Sequence, residues 1–144
     1  MQVQALGHVV LRVRNQERAE AFYNGVLGLP ICARYDDPRM TFFTLGNHHD
    51  FAVEVVGDDA DAPGEQSVGL AHVAFKIGES LDALREAKAH LEQAGVKVAP
   101  VDHEVTQSLY FDDPDGNTVE VYVDVSDVWK QDPQRVAQAE PLEL

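Results

Sequence analysis

Two stretches of this chain are written to nearly the same plan. GHVVLRV and AHVAFKI are short apolar runs, each with a histidine near its start, His8 and His72. The histidines lie 72 − 8 = 64 residues apart, and Arg12 and Lys76 repeat that separation. A helical pattern follows each run. Asn15 can cap a helix over about 16–27, where Ala19, Phe22, Tyr23 and Val26 fall at i, i+3, i+4 and i+7; Gly28 and Pro30 can end it. Ser80 can cap a second helix over about 81–94, with Leu81, Leu84, Lys88 and Leu91 as its inward stripe and Gly95 as its stop. Strands are expected near 3–14, 31–35, 40–45 and 50–56, and again near 69–77, 96–101, 107–112 and 118–125. Glu54 follows His8 by 46 residues and Glu120 follows His72 by 48, each in the strand closing its half. The order βαβββ–βαβββ is one supersecondary unit used twice, an α+β fold with helices on the outer faces of curved sheets.

Between the halves lies GDDADAPGEQS (57–67), polar and rich in Asp, Gly and Pro, the composition of a linker. The 144 residues suit a single domain: module one over about 3–56, module two over about 68–125, and a tail, 126–144, without a clear period. Trp129 and Val136 can anchor that tail, but a loosely ordered end is expected.

The stretch HEVTQSLYFDDPDGNTVE, from His103 to Glu120, concentrates the polar chemistry of the second half. DDPDGN reverses the chain: Asp and Asn bond their own backbone, Pro fixes one torsion and Gly supplies a positive one. TVEVYV then alternates, with Thr118, Glu120 and Tyr122 on one face and Val119, Val121 and Val123 on the other. Alone, Glu120 reads as a solvent-facing residue of an edge hairpin. Beside two strand-start histidines it can instead point inward at something positive, and the repeated plan would bring His8, His72 and Glu120 together in a cleft shared by the halves.

Charge and cysteine content narrow the partners. A formal charge of −14 argues against nucleic acid or anionic lipid held on a broad basic surface. No run reaches the ~18 apolar residues of a membrane span, and no secretory signal opens the chain. Cys32 is the sole cysteine, so no intrachain disulfide forms and a cytoplasmic location is expected.

Over roughly residues 5–125 the chain resembles the vicinal oxygen chelate superfamily, which includes glyoxalase I, extradiol ring-cleaving dioxygenases, methylmalonyl-CoA epimerases and bleomycin-resistance proteins. The resemblance implies paired βαβββ modules whose cupped mixed sheets hold a divalent metal, at positions matching His8, His72 and Glu120. The extradiol signature is the more specific match: His103, five residues, Leu109 and Tyr110, then Asp113, Pro114, Gly116 and Glu120. It implies an Fe(II)-dependent dioxygenase acting on a catechol-like diol and O2, with Mn(II) as an alternative ion. His103 and Tyr110 match positions that hydrogen-bond substrate or intermediate. His48-His49-Asp50 resembles the segment providing an acid–base histidine, and His49 is the better match. Strict alternation nonetheless puts His48 on the face of Glu54, which requires a bulge or turn between them. Paired modules of this kind also imply a homodimer.

Glu54 separates two enzyme classes. It precedes His72 by 72 − 54 = 18 residues, a spacing like that of glyoxalase I, where the corresponding acid is a fourth ligand. Four protein ligands on a six-coordinate ion leave two positions, enough for an enediolate and none for O2. A ligated Glu54 therefore implies a lyase or epimerase using Ni, Zn or Co; a detached Glu54 leaves room for oxygen. A metal-free drug-binding protein is the remaining class, and a complete ligand set counts against it.

Overall fold

Period-two patterning builds two mixed sheets in the computed structural model, which describes residues 1–62, 64 and 66–144. Of the predicted linker 57–67, positions 63 and 65 lie outside the described residues. The chain divides into two compact units, residues 1–67 with 113–117 and residues 68–112 with 118–144.

In the first unit, β1 (Val9–Val13), β2 (Ile31–Asp36), β3 (Arg39–Phe43) and β4 (Phe51–Val55) stand in the order β1-β4-β3-β2, with β1 parallel to β4. Leu11, Val13, Thr41, Phe43, Phe51 and Val53 form its buried face. Tyr23 covers that face, its ring 4.7 Å from Phe51 and 6.0 Å from Phe43. Val10, Arg12, Phe42, Ala52 and Glu54 alternate to the opposite face. The expected strand over 3–14 begins only at Val9, because β4 offers it partners only from Phe51 to Val55.

The expected helix over 16–27 is capped by Asn15, whose side chain accepts from the Arg18 amide. It is a regular α-helix, α1, only over Gln16–Glu20; Ala21–Val26 widens into a π-turn, with Leu27 N–H bonded to the Phe22 carbonyl at 2.9 Å. The wider turn rotates the i+7 position off the stripe. Phe22 and Tyr23 are buried, while Val26 is half-buried. Gly28, at φ 74°, ends the element in the left-handed region that glycine enters without strain.

In the second unit, β5 (Val73–Gly78), β6 (Ala99–Asp102), β7 (Thr106–Asp112) and β8 (Thr118–Asp124) stand in the order β5-β8-β7-β6, with β5 parallel to β8, as β1 is to β4. Helix α2 (Leu81–Gln93), capped by the Ser80 side chain, packs on β5, β7 and β8 and buries Leu84 and Leu91. Gly78 permits that approach: a Cβ there would stand 3.2 Å from the Ala83 Cβ and 3.8 Å from Val123. Leu109, Phe111, Val119, Val121 and Val123 line the buried sheet face; Ser108, Tyr110, Glu120 and Tyr122 point the other way.

The tail differs from the expected loose end. It forms short 3-10 turns at Val128–Lys130 and Pro133–Ala137, and β9 (Glu140–Pro141) pairs with β6. The edge of β6 would otherwise present unpaired backbone groups, and the tail satisfies them, with Leu142 N–H also bonded to the Pro100 carbonyl at 3.3 Å. Arg135 adds an ion pair to Glu104. Among the described residues no helix is long and apolar enough to cross a membrane.

Candidate functional site

Glu120 is 6 % exposed, and a carboxylate that deep in a sheet requires partners. Ser108 donates its hydroxyl to Oε1 at 2.6 Å, and His72 Nε2 lies 3.2 Å from Oε2. Tyr110 stands directly opposite on β7 and also hydrogen-bonds the carboxylate. Burial first, then the hydrogen bond to Glu120 and its charge, push the Tyr110 phenol well above its ordinary range, so it remains a donor at neutral pH.

His103 extends this network. A carbonyl can only accept, so the 2.6 Å bond to the Gln138 carbonyl fixes the His103 proton on Nδ1. That leaves Nε2 facing the Tyr110 hydroxyl at 3.0 Å. The tight turn holding His103 places Glu104 at φ 66°, a conformation few side chains adopt, supported by the Glu104 N–H to Asp102 bond of 2.6 Å. The phenol has one proton and two acceptors in reach. In the tautomer that the Gln138 carbonyl fixes, Nε2 accepts when the phenol points to His103. When the phenol points to Glu120, Nε2 can donate to the phenolic oxygen only as the imidazolium, with both ring nitrogens protonated. Tyr110 and His103 can thus pass a proton along a fixed line.

The donor set suits a divalent cation. Neighbouring donors on a six-coordinate ion with bonds of about 2.1 Å stand about 3 Å apart, close to the 3.2 Å between His72 Nε2 and Glu120 Oε2. Imidazole with carboxylate fits Fe, Mn, Co, Ni or Zn. With Ser108 holding Oε1, Oε2 is the oxygen turned toward such an ion.

In the first unit, His8 immediately precedes β1, as His72 precedes β5. Its ring lies 4.1 Å from that of His49 and 6.4 Å from that of His48, and the three side chains offer donor atoms within 4.8 Å of one another. His48 and His49 belong to the turn before β4, closed by Thr44, Asn47 and Asp50, so strand alternation does not govern them. His49 packs edge-on to Phe42 at 5.3 Å, while His48 Nδ1 bonds Asn47 at 3.0 Å. Partial desolvation, then the neighbouring His8 and His48 rings, hold the His49 imidazole below its ordinary value, against a weaker pull from Asp50.

Glu54 is not the register counterpart of Glu120. Glu120 pairs with Ala74, two residues after His72; Glu54 pairs with Arg12, four residues after His8, and Ala52 occupies the position equivalent to Glu120. The Glu54 carboxylate instead meets the Arg12 guanidinium at 3.4 Å. The spacings of 46 and 48 hid this offset, because equal strand lengths do not guarantee equal registers. His90 is exposed on α2, outside these clusters.

Sequence reasoning missed Ser108 and the Gln138 carbonyl. Ser108 was within reach: a hairpin closed by DDPDGN with Tyr110 opposite Glu120 puts Ser108 on the same face two residues away. A backbone carbonyl in an aperiodic tail leaves no such mark.

A family model described as Glyoxalase/Bleomycin resistance protein/Dioxygenase superfamily matches residues 5–121. The chain belongs to this superfamily. Within it, the chain is 36 % identical over 123 residues to biphenyl-2,3-diol 1,2-dioxygenase 3 of Rhodococcus globerulus, covering 83 % of this chain and 63 % of that protein. It thus spans less than two-thirds of that dioxygenase. The chain is also 31 % identical over 123 residues to glutathione transferase FosA of Serratia marcescens, covering 84 % of this chain and 82 % of that one. A solved superfamily domain from Frankia sp. EAN1pec has the same fold, with a TM-score of 0.72 at 22 % identity over 85 % of this chain and 99 % of its own.

Proposed function

We propose that this chain is an Fe(II)-dependent extradiol dioxygenase that opens the ring of a catechol-like diol, with His8, His72 and Glu120 as metal ligands. The observation that carries the reading is the Glu120 network: one carboxylate bonded by Ser108, His72 and Tyr110, with His103 behind Tyr110. The extradiol signature requires His103, Tyr110 and Glu120 together, and a metal-free binding protein has no need of them. Likeness to a biphenyl-diol dioxygenase supports the same reading. Bound iron, held by these three side chains, would supply the Lewis acidity that favours the deprotonated diol and a path for electron density from the diol, the net reductant, to O2.

The chain's own groups then have defined tasks. Tyr110 donates its phenolic proton toward an oxygen at the Glu120 end, and His103, having taken up a proton on Nε2 from solvent, returns it to the phenolate. His49, kept neutral beside His8, is the base that takes a diol proton. A single domain of two modules, a homodimer and a cytoplasmic location belong to this reading.

Anaerobic loading with Fe(II), addition of a diol panel and admission of oxygen should give a coloured ring-fission product. A panel that yields none ends the proposal. Tyr110→Phe is expected to lower kcat about a hundredfold or more with iron content unchanged, as for loss of an acid–base group. Equal kcat in Tyr110→Phe and wild type would remove Tyr110 from the chemistry.

A lyase or epimerase reading needs Glu54 on the metal, and its pairing with Arg12 two residues out of register favours the oxygenase. The pair is exposed on the Arg12 side and contributes little to stability. Glu54→Ala is therefore expected to retain metal and activity within about twofold. Loss of both, with turnover of a hemithioacetal or acyl-CoA by the wild type, would transfer the assignment to the lyases.

A further inference from the structure

The open sheet face of the second unit ends in a cavity of about 530 Å³ with Glu120 in its wall, a size suited to a one- or two-ring ligand. Its apolar side is Val105, Trp129 and Val136, the last two from the tail. They are 44 % and 56 % exposed, large apolar side chains that no neighbour covers fully although the tail around them is held by β9, Gln138 and Arg135. The same tail segment thus orients His103 and places an indole, with the Lys130 ammonium over it 5.7 Å from its centroid, in the wall that Glu120 also lines.

Charge at the rim is closed off. Lys130 is the lining cation, and Asp127 holds its ammonium at 2.7 Å. Asp124, also in the wall, is held by Lys76 at 2.7 Å. A carboxylate on a ligand's ring would meet the acidic side chains of Glu120, Asp124 and Asp127 and no unpaired ammonium among the lining residues, and would lose water without compensation. An uncharged ring loses little water and gains the Trp129 face.

We infer that the tail segment carrying Trp129 and Val136 is the specificity wall of the site, and that it selects uncharged aromatic diols over carboxylated ones. The inference rests on the proposed diol chemistry for the word diol; the preference for an uncharged ring rests on the cavity alone.

Trp129 is the chain's single tryptophan, so its fluorescence reports occupancy directly. Protein kept under nitrogen, with and without Fe(II), is titrated with a phenyl-substituted catechol and with 3,4-dihydroxybenzoate. The uncharged diol is expected to quench saturably and to bind at least about tenfold more tightly than the carboxylated one. Val136→Asp, a substitution at an exposed position that leaves the fluorophore in place, is expected to weaken the uncharged diol about tenfold. Equal affinities for the two diols, or fluorescence that neither moves, overturns the inference. Ring cleavage is assayed on the same samples after air is admitted. Selective quenching without cleavage would remove the oxygenase reading and support the wall, whereas cleavage without selectivity would do the reverse.

Discussion

Glu120→Ala is expected to abolish Fe(II) binding at micromolar metal and to lower ring cleavage more than about a thousandfold, ~4 kcal/mol in the barrier. Glu120 is the one anionic donor in the proposed set; His8 and His72 are neutral when they ligate. Two imidazoles alone bind a divalent ion weakly, and Tyr110 does not replace the lost charge because it remains protonated. Ser108→Ala separates charge from orientation. It removes the 2.6 Å bond that fixes Oε1 while leaving the carboxylate, so metal affinity is expected to fall about tenfold and activity to return at high iron. Metal analysis after gel filtration, beside the ring-fission assay, reads both variants. Full iron content in Glu120→Ala would place the metal elsewhere, with the His8, His48 and His49 cluster as the next place to look.

The repeated plan was legible because burial is periodic. Two histidines placed just before parallel edge strands, two capped helices and the DDPDGN reversal all follow from residue types at fixed offsets, and both sheets take the same order. What resisted reading was register. A parallel pair such as β1 and β4 has no turn to fix it, so Glu54 looked equivalent to Glu120 while lying two residues farther along. The β7–β8 hairpin does have such a turn, which is why Tyr110 opposite Glu120 could be expected and Ser108 inferred. The tail was illegible for another reason. Its order comes from an edge, a carbonyl and one ion pair, none of which imposes a period on the sequence. His49 fell between these cases: the motif named it, alternation argued against it, and a turn held by Asp50 removed the conflict.

Asp113→Ala is expected to cost the first unit about 3–4 kcal/mol and to lower its melting temperature by about 10 °C, although Asp113 touches no proposed ligand. Asp113 is 5 % exposed and accepts four hydrogen bonds. Oδ1 takes the Asp115 and Asn117 amides at 2.8 Å each; Oδ2 takes the Asn117 side chain at 2.9 Å and the Tyr23 hydroxyl at 2.7 Å. Alanine leaves these donors unmatched, and Tyr23, fully buried, has no route to water. The turn also sets Asp115 against Arg14 at 3.2 Å and Arg18 at 3.0 Å, so its loosening spreads to those pairs. Asp113→Asn keeps an acceptor and should lose roughly half as much. Burial first, then the Asp113 charge, raise the Tyr23 phenol far above its ordinary value. Because the folded value exceeds the unfolded one, this contribution is complete below about pH 10 and is lost as pH rises beyond it. Thermal melts across pH 7 to 11 should therefore show wild-type stability falling on the alkaline side, more shallowly in Tyr23→Phe. An Asp113→Ala protein melting within about 2 °C of wild type at pH 7 would show that water replaces the carboxylate without loss, and the buried network would then have no claim on the stability of the fold.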